Sequence, residues 1–249
     1  MKNHKFYCGD ALEILKYLPS QSINCCITSP PYFGLRDYGI DGQIGLEATP
    51  EEYIQRLVDV FREVKRVLRN NGTLWLNIGD SYATGKPKDC TKPDLMWSNK
   101  QSRKAPKGYK HKDLIGIPWR IAFALQSDGW YLRADIIWNK PNAMPESVTD
   151  RPTKSHEYIF LLSKSERYYY DAEAIKEPAV NGDPSKPRGS IATMSHGANK
   201  LNAGRRSDSN NISDLLTKRN KRSVWTVATQ RFDGAHFATF PPELIKPCI

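Results

Sequence analysis

Apolar and polar positions along the chain switch between two periods, and the switching predicts strands alternating with amphipathic helices. Phe6 to Cys8 reads as a short strand, turned by Gly9-Asp10. Leu12, Leu15 and Leu18 then recur at helical spacing against Lys16, so a helix is expected over Ala11 to Leu18, stopped by Pro19-Ser20. Ile23 to Thr28 is an apolar run of strand length that ends in the breaker Ser29-Pro30-Pro31-Tyr32. Thr49-Pro50-Glu51-Glu52 has a cap, a proline at the first helical position and acids in the first turn. The helix it opens is expected to run to about Arg69, with Ile54, Leu57, Phe61, Val64 and Leu68 on one face and Asn71-Gly72 as its end. Thr73 to Ile78 reads as the next strand, followed by Gly79-Asp80-Ser81.

Leu114 to Gln126 has helical spacing, Tyr131 to Trp138 and Glu157 to Leu162 read as strands, Val224 to Thr229 as a short strand, and a helix begins at Pro241. The expected architecture is a Rossmann-like α/β sheet, mostly parallel, with helices on both faces. In such a fold ligands bind beyond the C-terminal ends of strands, which singles out the loops at 29–32 and 79–81. Two stretches break the pattern. Residues 84–112 form a basic loop in which nine Lys and Arg, among them Lys104 and Lys107, face only Asp89 and Asp94. Residues 172–222 are rich in Gly, Ser and Asn and carry Arg205, Arg206, Arg219 and Arg222. One domain is expected over residues 1–249, with these two stretches as insertions.

Charge adds a partner. Lys and Arg number 37 against 27 Asp and Glu, a formal net charge of +10, which favours a polyanion such as double-stranded DNA. Cys8, Cys25, Cys26, Cys90 and Cys248 are scattered with no CxxC pair, which argues against a disulfide framework or a metal site and favours a reducing cytoplasm. No apolar run approaches the roughly 20 residues of a membrane span, so no membrane partner is expected.

The chemistry concentrates in Thr28-Ser29-Pro30-Pro31-Tyr32. Prolines fix φ and lack an N–H, so their carbonyls are expected to face outward as rigid acceptors, beside a hydroxyl and a flat ring. That set suits an exocyclic amino group on a base. Its lone pair is delocalised into the ring, and hydrogen bonds from its N–H groups to Ser29 and to the Pro30 carbonyl would draw the nitrogen toward tetrahedral geometry. The base must leave the duplex to be reached, and stacking on Tyr32 returns about 1–3 kcal/mol of that cost. None of the cysteines is placed for a covalent intermediate.

The motif resembles the catalytic signature of the DNA amino-methyltransferases of restriction–modification systems and phages, (Asp/Asn/Ser)-Pro-Pro-(Tyr/Phe/Trp). Phe6–Leu12, Gly72–Ser81, Ile136–Pro141, Lys154–Phe160 and His236–Ile245 resemble further segments of that family in order, across nearly the whole chain. The resemblance implies S-adenosyl-L-methionine (AdoMet) as methyl donor and Ser29, Pro30, Pro31 and Tyr32 as catalytic residues. It further implies Asp10, Thr28, Phe237 and Thr239 at the cofactor, and target recognition within 172–222. Lys104, Lys107, Arg205, Arg206, Arg219 and Arg222 are the expected DNA contacts. The Ser form of the motif is commonest in cytosine-N4 enzymes, so cytosine N4 is the expected target and adenine N6 the alternative. In the family the segment matching Pro247-Cys248-Ile249 continues into a strand and a Gly-rich turn under the methionine of AdoMet, with no match here. The expectation is a fragment, a truncated or split chain with a second chain supplying the rest, or a decayed phage remnant, which alone binds AdoMet weakly or not at all. A DNA-binding remnant without catalysis is the reading from another class.

Overall fold

A computed structural model describes residues 4–83, 105–178, 218–233 and 239–249. The chain divides into two compact units, residues 1–169 with 223–249, and residues 170–222.

The larger unit is built on a five-stranded sheet in the order β1-β2-β4-β3-β7, with β1 Ile23–Thr28, β2 Leu68–Ile78, β3 Tyr131–Asn139, β4 His156–Ser163 and β7 Val224–Thr226. β1 pairs parallel with β2 and β3 parallel with β7, while β4 runs antiparallel to both of its neighbours. Four strands therefore share one direction and β4 opposes them. The expected mostly parallel sheet is found, with one antiparallel strand, β4, inside it. The loop between β3 and β4 holds no helix to carry a parallel crossover, and β4 comes back beside β3 as its antiparallel neighbour.

Alternation along β2 sorts its side chains onto two faces. Leu74, Leu76 and Ile78 join a core with Phe160 and Leu162 of β4. Trp75 joins a second core with Ile159, Leu161, Trp138 and Trp225. The first face is covered by α2 (Pro50–Val67) and α3 (Ile117–Ser127) through residues such as Tyr53, Leu57, Phe61, Ile121 and Leu125. The second is met by α4 (Pro242–Ile245) and a 3-10 turn at Lys246–Cys248, through Leu244 and Cys248. A helix α1 (Ala11–Lys16) precedes β1.

Helix starts follow local chemistry. Thr49 Oγ1 accepts from Glu52 N and the Glu52 carboxylate accepts from Thr49 N, a complete capping box. The end of α2 does not follow the local signal. Leu68 turns extended and fully buried, pairs with Ile23, and carries 68–72 into β2 despite Asn71-Gly72. Tertiary pairing overrides the stop signal. α3 starts at Ile117, three residues later than expected, because Gly116 is left-handed (φ 77°) and Leu114 is bridged to Tyr82.

One expected strand is absent. Phe6 to Cys8 joins no ladder among the described residues, and Phe6 is 94% exposed. With no described neighbour to take its N–H and C=O groups, the segment stays in solvent. Among the described residues no helix is long and apolar enough to cross a membrane. Most of the basic loop, residues 84–104, lies outside the described residues.

The smaller unit contributes a short antiparallel pair, β5 Glu177–Pro178 with β6 Lys218–Arg219. Of region 172–222, residues 179–217 lie outside the described part.

Candidate active site

The strand register brings four chain segments to one end of the sheet. Thr28 at the end of β1 pairs with Leu76, Ile78 near the end of β2 pairs with Tyr158, and Asn139 at the end of β3 pairs with His156. The Ser29–Tyr32 loop leaves β1 at this end, as expected for a ligand edge.

The loop is pinned from several sides. Tyr53, fully buried in α2, donates its hydroxyl to the Pro31 carbonyl at 2.8 Å. Burial pushes the Tyr53 phenol up, with the Glu47 charge adding to it, so it stays a donor. Ser81 Oγ donates to the Phe33 carbonyl at 2.7 Å, and the Phe33 ring is buried 5.5 Å from that of Tyr53. Gly45, at φ +101°, lies under the loop where a Cβ would stand 2.9 Å from the Tyr32 carbonyl oxygen. The expectation that both proline carbonyls face outward is therefore corrected. Pro31 is turned inward onto Tyr53. Among the described residues no donor reaches the Pro30 carbonyl.

Tyr32 is half-buried and its hydroxyl reaches a polar cluster. It donates to Glu157 Oε2 at 2.6 Å. Asn77 Nδ2 donates to the same oxygen at 3.1 Å, and Lys140 pairs with Oε1. Ser29 Oγ donates to the Tyr32 hydroxyl oxygen at 3.4 Å. Burial, with the Glu157 charge next, holds the Tyr32 phenol well above its usual range, so it remains protonated at any physiological pH. The ring passes over Gly79, where a Cβ would stand 2.6 Å from Tyr32 Cε2.

Asn77, Lys140 and Glu157 lie in the family-like segments Gly72–Ser81, Ile136–Pro141 and Lys154–Phe160, where the sequence alone assigns them no role. A signal was available. Asn77 is a polar residue in a strand otherwise buried from Thr73 to Ile78, and it is 5% exposed. Buried polar groups of this kind require partners, and these partners converge on Tyr32.

The remaining expected site residues are dispersed. Asp10 caps α1 through Glu13 N. Thr28 is half-buried at the end of β1, and Thr239 is exposed before α4. Phe237, Lys104, Arg205 and Arg206 lie outside the described residues. Lys107 is exposed. Arg219 and Arg222 both donate through Nε to Glu177 Oε1, at 2.9 and 2.6 Å, which offsets part of their charge. Among the described residues there is no group of three His, Cys, Asp or Glu placed to hold a metal. Cys26 lies two residues before Thr28, and burial pushes its thiol up to about 12, which makes it a poor nucleophile.

The fold and this strand-end lip are those of an α/β methyltransferase. The solved PvuII DNA methyltransferase (cytosine-N4-specific) shares the fold at a TM-score of 0.57 and 15% identity, over 97% of this chain and 67% of that one. Residues 23–249 match the DNA methylase family (N6_N4_Mtase). The Type II methyltransferase M.Cfr9I of Citrobacter freundii is 52% identical over 97% of this chain and 70% of its own length. M.SmaI of Serratia marcescens is 49% identical over 100% of this chain and 75% of its own. The chain belongs to the DNA methylase family, whose members transfer a methyl group from AdoMet to an exocyclic amino group in DNA.

Of the residues that the resemblance places at AdoMet, Asp10, Thr28 and Thr239 are described and Phe237 is not. Asp10, Thr28 and Thr239 share no hydrogen bond, and Asp10 already directs one carboxylate oxygen to the backbone of α1. The chemistry below is accordingly confined to the base-binding side.

Proposed function

We propose that this chain acts on the N4 amino group of cytosine extruded from duplex DNA. The observation that carries the reading is a Ser29 hydroxyl and a Pro30 carbonyl on a lip fixed by Tyr53, Ser81 and Gly45, beside the Tyr32 ring. One amino N–H donates to Ser29 Oγ and the other to the Pro30 carbonyl, which concentrates the nitrogen lone pair on one side. A neutral hydroxyl at position 29, where a carboxylate would stand in the alternative form of the motif, supports cytosine over adenine. Mass spectrometry of nucleosides from an expressing host tests this. N4-methyldeoxycytidine is expected; N6-methyldeoxyadenosine would overturn the choice of base, and unmodified DNA the activity.

Lys107, Arg219 and Arg222, with Lys104, Arg205 and Arg206, are proposed to contact DNA phosphates, and 172–222 to carry target recognition. The separation of residues 170–222 as their own compact unit supports that assignment. β1 lies at the sheet edge with no second ladder partner among the described residues, and such an edge accepts a further strand. We propose that a further strand adds there and completes the AdoMet cradle. Isothermal titration of the 249-residue chain with AdoMet should give no micromolar binding. Micromolar binding would refute the need for the added strand.

A further inference from the structure

We infer that Glu157 is a positioning residue for methyl transfer, acting through Tyr32 to make the Ser29 hydroxyl an acceptor for the amino group. This rests on the amino-methylation reading above and assigns new residues to it.

Alternation places the relevant groups. Asn77 lies two residues beyond Trp75, Glu157 two before Ile159, and Lys140 two beyond Trp138, so all three share the sheet face of that tryptophan-rich core. There they meet at the strand ends. Both oxygens of the Glu157 carboxylate are engaged, Oε1 by Lys140 and Oε2 by Asn77 and Tyr32. Asn77 is itself oriented, since its Nδ2 also donates to the Tyr158 carbonyl at 3.1 Å. Lys140 stands 4.2 Å from the centroid of the Trp138 ring, so its ammonium is held between a π face and the carboxylate.

A phenol has one proton. The 2.6 Å contact to a carboxylate takes it, in preference to the 3.3 Å contact to Asn77 Oδ1, because the charged acceptor makes the stronger bond. The Tyr32 oxygen then has only lone pairs to offer, and Ser29 Oγ–H turns toward it. Ser29 Oγ is left with its own lone pairs facing the lip, which is what a donor N–H of the base requires. Without the carboxylate the Tyr32 proton could swing to Ser29, and Ser29 would then present a proton to the base. The 3.4 Å between Ser29 and Tyr32 is of the loose kind that tightens when substrate arrives.

The test is a double-mutant cycle on the full chain, assayed for methyl transfer with whatever chain completes it. E157Q keeps the shape and replaces the carboxylate by an amide that can donate to Tyr32. It should lower kcat about tenfold or more with KM for DNA within about twofold. Y32F should lower kcat similarly, and E157Q added to Y32F should change it by no more than about twofold. Glu157→Asp should recover part of the loss. Multiplying effects in the double variant, or a change confined to KM, would overturn the inference. A second readout needs no turnover. With tyrosine isotope-labelled at Cζ, the resonance that Y32F removes should move in E157Q; an unmoved resonance would equally refute the coupling. A wild-type protein that transfers no methyl counts against the amino-methylation reading, and the resonance still decides whether Glu157 holds Tyr32.

Discussion

Two carboxylates stand at the same end of the sheet, Asp80 just beyond β2 and Glu157 at the start of β4, and their donors differ in kind. Asp80 Oδ1 accepts from the backbone N–H groups of Ser81, Gly116 and Ile117 at 2.9–3.0 Å, and so caps α3 from a distance in sequence. Glu157 accepts from side chains only, those of Tyr32, Asn77 and Lys140. Their side chains are 5% and 17% exposed, so burial does not separate them. The donors do. Backbone donors tie a carboxylate to the scaffold, whereas side-chain donors make it the holder of groups that face the ligand edge.

The comparison is broken most directly by removing each carboxylate in turn. Asp80→Ala strips the first turn of α3 of its one side-chain acceptor among the described residues, since the N-cap Gly116 has none to offer. It should cost about 3 kcal/mol, the sum of a lost cap and of N–H groups left without a partner. E157Q, which leaves Lys140 an amide oxygen and turns its NH2 toward Tyr32, should cost less than half as much. Urea unfolding of both variants measures this. Equal losses would mean that Glu157 is scaffold as well.

The next effect probes the seat from its other side. A methyl at Gly79 would meet the Tyr32 ring at 2.6 Å, so Gly79→Ala must displace the ring without touching Glu157. Turnover should drop about tenfold, with a stability loss of about 1 kcal/mol as one exposed edge of the ring gives way. Single-turnover methyl transfer beside thermal unfolding separates the two. Unchanged turnover would show that the ring position is not part of the chemistry.

What could be foreseen along this strand end divides by sequence distance. The loop Ser29–Tyr32 after β1, the helix start at Thr49-Pro50 and the strand through Thr73 to Ile78 are each written in a few consecutive residues, and each is found where expected. The grip of Tyr53 on Pro31, the cap of α3 by Asp80 and the hold of Glu157 on Tyr32 join residues 22, 37 and 125 positions apart. No local pattern specifies such pairs. The same limit explains one misplaced boundary and one absent strand. Leu68 was drawn from helix to strand by Ile23, and Phe6 to Cys8, although of strand composition, has no neighbour to pair with among the described residues. The antiparallel β4 belongs to this class too, since its composition matches a parallel strand and only its connection sets its direction.

A smaller effect follows from the groups packed around the lip. The thiol of Cys26, raised to about 12, and the phenols of Tyr32 and Tyr53, raised by burial, all keep their protons in the fold. In the unfolded chain they lose them at ordinary values, the thiol near 9 and the phenols near 10. Above pH about 9 the unfolded state therefore binds fewer protons, and stability falls with rising pH until the folded groups titrate. Below that pH these groups contribute no slope. The urea midpoint should be level from about pH 7 to 8.5 and decline beyond it. Y32F should decline less steeply than wild type, whereas Asp80→Ala, which removes no such group, should decline in parallel with it.

The smallest expected effect lies at the outer rim, where the contrast between held and unheld charge can be sharpened. Lys107 is exposed, while Arg219 and Arg222 share Glu177. A lysine that meets a phosphate releases a counterion on binding, so Lys107→Ala should weaken DNA affinity alike for all sequences and reduce the salt slope by about 1. Arg222→Ala removes a cation whose charge Glu177 already offsets in part, and the salt slope should change by less. Fluorescence anisotropy of a labelled duplex over a series of salt concentrations measures both. An Arg222→Ala slope change as large as that of Lys107→Ala would mean that Glu177 releases the arginine when DNA binds, and that its hold, unlike that of Glu157 on Tyr32, is made to be broken.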